Sequence, residues 1–152
     1  MSLVTTAHLN FHGEAREALA FYQSVFGGQT TMATYGDFGM PKDVPGADNV
    51  VFGQVVAENG FRVMAYDVPT PGTDTGPAVG QTTREHGMTV TTERFFLSVR
   101  GGSVEEVGGF WAKLCDGAEV IEDFGPAAWA PGFGMLTDRF GVTWILDVES
   151  GY

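Results

Sequence analysis

Three residues of this 152-residue chain, His8, Asp37 and Arg94, have types and settings that could do chemistry. His8 stands between Thr6 and Asn10 in a stretch, Thr5 to Phe11, where polar and apolar side chains alternate. Alternation predicts a strand, with Thr6, His8 and Asn10 on one face and Leu9 and Phe11 on the other. An imidazole on such a face moves protons near neutral pH, ligates a metal, or serves as a hydrogen-bonded wall. Asp37, flanked by Gly36 and Gly39, is an acid or base if desolvated and a turn cap otherwise. Arg94 is expected to point inward with Phe96 and Ser98 from a strand spanning Met88 to Val99. A guanidinium in a cavity must find an anion, either the carboxylate or phosphate of a ligand or a protein acid such as Asp37. No nucleophile–base pair is readable, since Ser98 has no clear base partner. The single cysteine, Cys115, falls on an apolar helical stripe with Trp111 and Leu114, the setting of a buried structural thiol. His12 lies at a strand break and His86 in a connecting segment.

The elements that position these residues occur twice. Phe52-Gly53, six residues and Gly60 recur as Phe133-Gly134, six residues and Gly141, each followed by a short apolar run. Upstream, Leu9-Asn10-Phe11 leads into a helix-patterned stretch ending Phe21-Tyr22, and Leu97-Ser98-Val99 leads into one containing Phe110-Trp111. Each half reads strand, helix, then a group of strands, and neither is large enough to bury its own sheet. Such duplication usually builds a cavity shared between the copies.

In the first half, Ala15, Ala18, Leu19, Tyr22, Val25 and Phe26 form one helical stripe within Glu14 to Phe26, and Gly27-Gly28 stops it. A strand is expected at Gln29 to Tyr35, and a hairpin from Asn49–Ala57 and Phe61–Asp67 turning at Asn59-Gly60. Pro69 to Gly87, rich in Pro, Gly and Thr, reads as a linker. The modules are thus 1–68 and 88–152, joined by 69–87 within one 1–152 domain. In the second half Ser103 with Glu106 suggests a capping box, and Val104, Val107, Trp111 and Leu114 the buried stripe. Gly108 and Gly109 each weaken that helix by about 1 kcal/mol relative to alanine, and a close approach to the sheet would account for them. Short strands are expected near Ala118–Glu122, Gly134–Asp138 and Thr143–Val148.

The net charge of −11, from eight Lys and Arg against nineteen Asp and Glu, repels phosphate backbones, so nucleic-acid binding is not expected. No apolar run approaches the roughly 18–20 residues needed to cross a bilayer, and no membrane partner is expected. The N-terminus lacks a secretory signal pattern, which makes a cytoplasmic location the expectation.

The segments Leu9 to Tyr22 (LNFHGEAREALAFY) and Phe133 to Trp144 (FGMLTDRFGVTW) resemble the two signatures of the PhnB-like branch of the vicinal-oxygen-chelate superfamily. That superfamily includes glyoxalase I, extradiol dioxygenases, and fosfomycin- and bleomycin-resistance proteins. Tyr35-Gly-Asp37 and Trp129 also match the branch, and the likeness covers nearly the whole chain. It implies an α+β fold of two tandem βαβββ modules, with curled mixed sheets, helices on the outer face and a cavity, commonly in a homodimer. Branch members are often labelled ubiquinone-pathway methyltransferases, but no glycine-rich nucleotide loop follows the first strand here.

The resemblance also implies a divalent metal held by His or Glu donors. The matching positions here are Thr6, Arg94 and Ile145, with Met64 the internal counterpart of Ile145 and Phe52 at a further inward position. None is a ligand for such a metal, so no metal and no cofactor are expected. The reading is a metal-independent binder of a small organic molecule, acidic or aromatic. His8, Asn10, Tyr35, Phe52, Arg62, Met64, Arg94, Phe96, Ser98 and Trp129 would line its site. The alternative is a metal-dependent glyoxalase- or dioxygenase-like lyase or isomerase in which His8 and Asp37 are catalytic.

Overall fold

The computed structural model describes residues 2–69 and 80–150 and divides at 77/78 into two compact units. Both have the expected α+β composition. In the first unit, β1 (His8–Phe11), β2 (Gln29–Thr34), β3 (Val50–Val56) and β4 (Arg62–Asp67) form a mixed sheet in the order β1-β4-β3-β2. β1 runs parallel to β4, and the other pairs are antiparallel. Between β1 and β2 runs α1 (Ala15–Phe26), whose predicted stripe is buried throughout.

No side chain caps the start of α1 locally. Asp67, 52 residues downstream of Ala15 and only 1% exposed, does it from the end of β4. Its carboxylate accepts the backbone N–H groups of Gly13 (2.7 Å), Ala15 (3.0 Å) and Val50 (2.9 Å). A carboxylate at a helix N-terminus answers both the helix dipole and otherwise orphaned donors. One buried side chain thereby ties β4 to α1 and β3.

The second unit repeats the plan with β7 (Leu97–Gly101), α2 (Val104–Leu114), β8 (Glu119–Ala127), β9 (Ala130–Thr137) and β10 (Thr143–Val148), in the order β7-β10-β9-β8. Ser103 Oγ accepts the Glu106 N–H at 3.1 Å, as its spacing predicts. Val107 and Leu114 are fully buried, but Val104 is 47% exposed because it sits in the first turn, beyond the sheet's cover. Among the described residues, no helix is long and apolar enough to cross a membrane.

The glycine of each repeated Phe-Gly pair has a packing reason. A Cβ on Gly53 would collide with Leu19 Cδ1 of α1 and come within 2.9 Å of the Ala65 carbonyl oxygen. One on Gly134 would lie 2.8 Å from Trp111 Cζ3 of α2 and 2.9 Å from Phe124 Cα. Each helix seats on its sheet where the strand has no side chain. The helical glycines expected to do this do not: a Cβ on Gly108 makes ordinary contact with Phe124 at 3.6 Å, and one on Gly109 meets open space.

Two stretches differ from expectation. Thr82–Glu85 (β5) and Met88–Thr91 (β6) pair as a hairpin where a linker and a single long strand were expected. His86 (φ 54°) and Gly87 (φ 75°) both take positive φ, the two-residue hairpin geometry usually signalled by Asn-Gly. Histidine enters that region readily enough to serve here. The strand then breaks at Thr92 to Phe96 before β7 begins. Second, β8 and β9 extend to a two-residue turn at Ala128-Trp129. Register shifts near Gly125 hide their alternation in the sequence. The first hairpin does turn at Asn59-Gly60, but only Gly60 takes positive φ, 102°. Asn59 contributes its side chain, accepting the Phe61 N–H at 3.0 Å and donating to the Phe26 carbonyl at 2.9 Å.

Gly134→Ala and Gly53→Ala should each destabilise by about 1–3 kcal/mol through overpacking. Gly109→Ala should stabilise by up to about 1 kcal/mol, because it adds helix propensity without a clash. Urea denaturation of the three variants checks this reversal of sign.

Candidate functional site

Each sheet has one face under its helix and one face turned away from it. In the first unit the strand registers align His8 with Met64, Met64 with Gln54, and Gln54 with Thr31 across the sheet. Asn10 aligns with Tyr66, and Phe52 with Ala33. These residues lie on the face opposite α1, where His8, Asn10 and Phe52 are exposed and Met64, Gln54 and Tyr66 half-buried. His8 Nδ1 and Asn10 Oδ1 are 3.1 Å apart, so that nitrogen carries the proton if the two are bonded. The imidazole also meets Tyr66 edge-on, with ring centroids 5.0 Å apart. Arg62 reaches Thr6, its Nε donating to Thr6 Oγ1 at 3.4 Å. Of the residues expected to line a site, His8, Asn10, Phe52, Arg62 and Met64 share this face, and Gln54, not expected, lies there with them.

Tyr35 does a different task. Its hydroxyl donates to the Asp67 backbone carbonyl at 2.6 Å, and burial, with Tyr66 and Asp67 nearby, pushes the phenol pKa up. It is a neutral bracing group rather than an acid. Asp37 is a turn clasp: the Thr34 N–H donates to Asp37 Oδ2 at 2.8 Å, and the Asp37 N–H donates to Thr34 Oγ1 at 3.2 Å. The backbone bond from Thr34 lowers the carboxyl pKa, aided by the Thr34 side chain and more weakly by Lys42 and Arg16. A carboxylate so stabilised is a poor proton acceptor.

In the second unit the face opposite α2 carries Ser98, Arg100, Ile145, Asp147, Met135 and Phe133, aligned as Ser98–Ile145–Met135 and Arg100–Asp147–Phe133. The β5–β6 hairpin lies on this face. Thr89 Oγ1 approaches Met135 Sδ at 3.7 Å, and the Glu93 carboxylate accepts hydroxyls from Thr82 and Thr143, the latter at 2.8 Å. Arg84 sets its guanidinium carbon 5.5 Å from the Phe133 ring centroid and 6.0 Å from that of Trp129. Arg100 binds Asp147 bidentately at 3.0 and 2.9 Å, which raises the Arg100 pKa.

Several expected site residues therefore move. Arg94 precedes β7 instead of lying within a strand; it is exposed and makes no ion pair among the described residues. Phe96 also precedes β7, while Ser98 is on it and exposed. Trp129 occupies the tight β8–β9 turn rather than an open loop, edge-on to Phe133 at 5.1 Å. Cys115 is half-buried with its thiol pKa raised by burial and then by Asp123, as suits an inert thiol. Arg84, Glu93 and the Arg100–Asp147 pair were missed. The first two fall where no hairpin was expected, and the pair becomes visible only once the β7–β10 register is known.

The register also corrects the internal alignment. Met64 and Ile145 occupy equivalent hairpin positions, and their first-strand neighbours are His8 and Ser98, not Thr6 and Arg94. The residues at the implied metal positions are therefore His8 and Met64 in the first unit and Ser98 and Ile145 in the second. Neither pair, an imidazole with a thioether or a hydroxyl with an alkyl group, offers a divalent ion more than one of the nitrogen, thiolate or carboxylate donors it wants. Among the described residues, no group of three His, Cys, Asp or Glu stands close enough to hold one.

The family model described as Glyoxalase/Bleomycin resistance protein/Dioxygenase superfamily matches residues 7–146. The protein YjdN of Escherichia coli (strain K12) is 26% identical over 148 residues, covering 93% of this chain and 92% of that protein. The crystal structure of protein PA1353 from Pseudomonas aeruginosa matches with a TM-score of 0.75 at 29% identity, covering 97% of this chain and 98% of that one. The PhnB protein from Bacillus cereus matches with a TM-score of 0.68 at 22% identity, over 97% of this chain and all of that one (100%), a likeness of fold.

If Asp37 is a clasp, Asp37→Ala lowers the melting temperature at pH 7. Its lowered folded pKa means the clasp's contribution is present above the ordinary carboxylate pKa and lost as pH falls through the folded value. The gap between wild type and variant should therefore close as melting curves are taken from pH 6 down to pH 3.

Proposed function

The chain belongs to the Glyoxalase/Bleomycin resistance protein/Dioxygenase superfamily, and from that premise we propose that it binds a small organic molecule without a catalytic metal. The observation that carries this reading is the strand register, which leaves His8 as the one metal donor among the implied ligand positions, His8 and Met64 in the first unit and Ser98 and Ile145 in the second. The face of the first sheet supports it further. Phe52, Met64 and Tyr66 offer apolar and aromatic surface, while His8, Asn10, Gln54 and Arg62 offer hydrogen bonds, the usual mixture of a small-molecule site. In this reading the ligand stacks on Phe52 and Tyr66, and the His8–Asn10 pair fixes its orientation. Ordering that pair in advance lowers the entropy cost of binding.

The other reading, a metal-dependent lyase or isomerase, needs His8 as a ligand and Asp37 as an acid or base. The clasp between Asp37 and Thr34 weighs against it.

A thermal-shift screen of aromatic acids, catechols and aromatic antibiotics tests the proposal. A true ligand at a hundred times its Kd should stabilise the fold by about 2.7 kcal/mol. Phe52→Ser and His8→Ala should each reduce that shift, and no turnover of the ligand should accompany it. Metal-dependent turnover of thiol adducts or catechols, abolished by His8→Ala, would overturn the reading.

A further inference from the structure

Arg84 is set apart from the other cations of this chain. Of the eight Lys and Arg residues, the other seven are exposed, whereas Arg84 is half-buried. Its guanidinium packs over the rings of Phe133 and Trp129, contacts that hold its plane and remove it from bulk water. One nitrogen, Nη1, donates to Thr89 Oγ1 at 3.0 Å. Nε is buried and has no hydrogen-bond partner among the described residues. Leaving such a donor unmet is costly, the more so in a charged group.

Among the described residues no acid forms an ion pair with Arg84, in a chain where acids outnumber bases nineteen to eight. On its own strand, Glu85 alternates to the other side and is exposed. Glu93, at the far end of the hairpin, already receives the hydroxyls of Thr82 and Thr143. Asp147, cross-strand from Phe133, is held bidentately by Arg100. Glu85 is thus turned away and Glu93 and Asp147 are committed, while the guanidinium keeps an unspent donor at Nε. Beside it Trp129, 49% exposed, presents open aromatic surface.

We infer that Arg84 is the anchor of an oxyanion-binding site on the second unit, taking the carboxylate or phosphate of a small planar ligand whose body lies against Trp129. The inference is independent of the first-sheet site proposed above. The planar fork of the guanidinium suits bidentate contact with either oxyanion, and aromatic packing fixes the fork before the anion arrives. Thr89 sets its rotation through the Nη1 bond. The overall negative charge of the chain disfavours anions elsewhere on the surface, so the site selects by local chemistry rather than long-range attraction.

The test titrates the full chain with sodium benzoate, phenyl phosphate and inorganic phosphate, following tryptophan emission. Wild type should give a saturable change with at least one of the two aryl anions, and Trp129→Phe should abolish the signal. The better of benzoate and phenyl phosphate identifies carboxylate or phosphate as the preferred group, and inorganic phosphate should bind more weakly than phenyl phosphate. Arg84→Gln should weaken binding about ten- to a hundredfold, the loss expected for a charged hydrogen-bonding partner. Arg94→Gln should leave it unchanged. If Arg84→Gln fails to fold by circular dichroism, Thr89→Val carries the test, with weaker binding expected. No saturable response in wild type, or unaltered affinity in Arg84→Gln or in Thr89→Val, would overturn the inference.

Discussion

Everything else in each unit depends on the close seating of a helix on a glycine of the sheet beneath it. Leu19 of α1 occupies the space a side chain at position 53 would fill, and Trp111 of α2 does the same at position 134. Burial of the helix stripes against the sheets is the main favourable term in folding. It also commits one sheet face completely, so the alternate residues of every strand are left on the other. The duplicated Phe-Gly pair states both halves of this arrangement. Gly53 and Gly134 admit the helices, while Phe52 and Phe133 turn to the free faces. Asp67 completes the first unit by joining helix start, β3 and β4 through one carboxylate.

The two free faces have diverged. On the first, His8, Asn10 and Phe52 stay exposed beside Met64, Gln54 and Tyr66. On the second, the β5–β6 hairpin lies across the sheet, and Met135, Thr143 and Asp147 are buried beneath or beside it. Glu93 fastens that hairpin through two threonine hydroxyls, and Arg84 fastens it through two aromatic rings. A duplicated scaffold has thus acquired a polar, aromatic surface in one copy and a covered, cation-bearing surface in the other. Among the described residues, neither face gathers three His, Cys, Asp or Glu side chains that could hold a metal ion.

Helices and regular hairpins were legible because their signals are local. The 3.6-residue stripe of α1, the Ser103 cap of α2 and the Asn59-Gly60 turn all recur as expected, and the alternation around His8 correctly sorts the face residues of β1 and β4. What the sequence hid depends on contacts between distant segments. His86-Gly87 is a hairpin turn written with an uncommon residue, so the Pro- and Gly-rich stretch before it obscured β5 and β6. The bulged pairing of β8 and β9 breaks the alternation that would have revealed their length. The internal alignment slipped by two residues in the first strand of the first unit and by four in that of the second, since only the registers His8–Met64 and Ser98–Ile145 show which positions correspond. That slip put attention on Arg94, an exposed residue, and away from Arg84.

We propose that this member of the superfamily binds its ligand without a metal. The most direct measurement is elemental analysis of protein purified without added chelator and then equilibrated with zinc, nickel, manganese and iron(II) before desalting. Metal-free binding requires far less than one transition-metal ion per chain, unchanged by His8→Ala. One ion per chain in wild type, lost in His8→Ala, would contradict it.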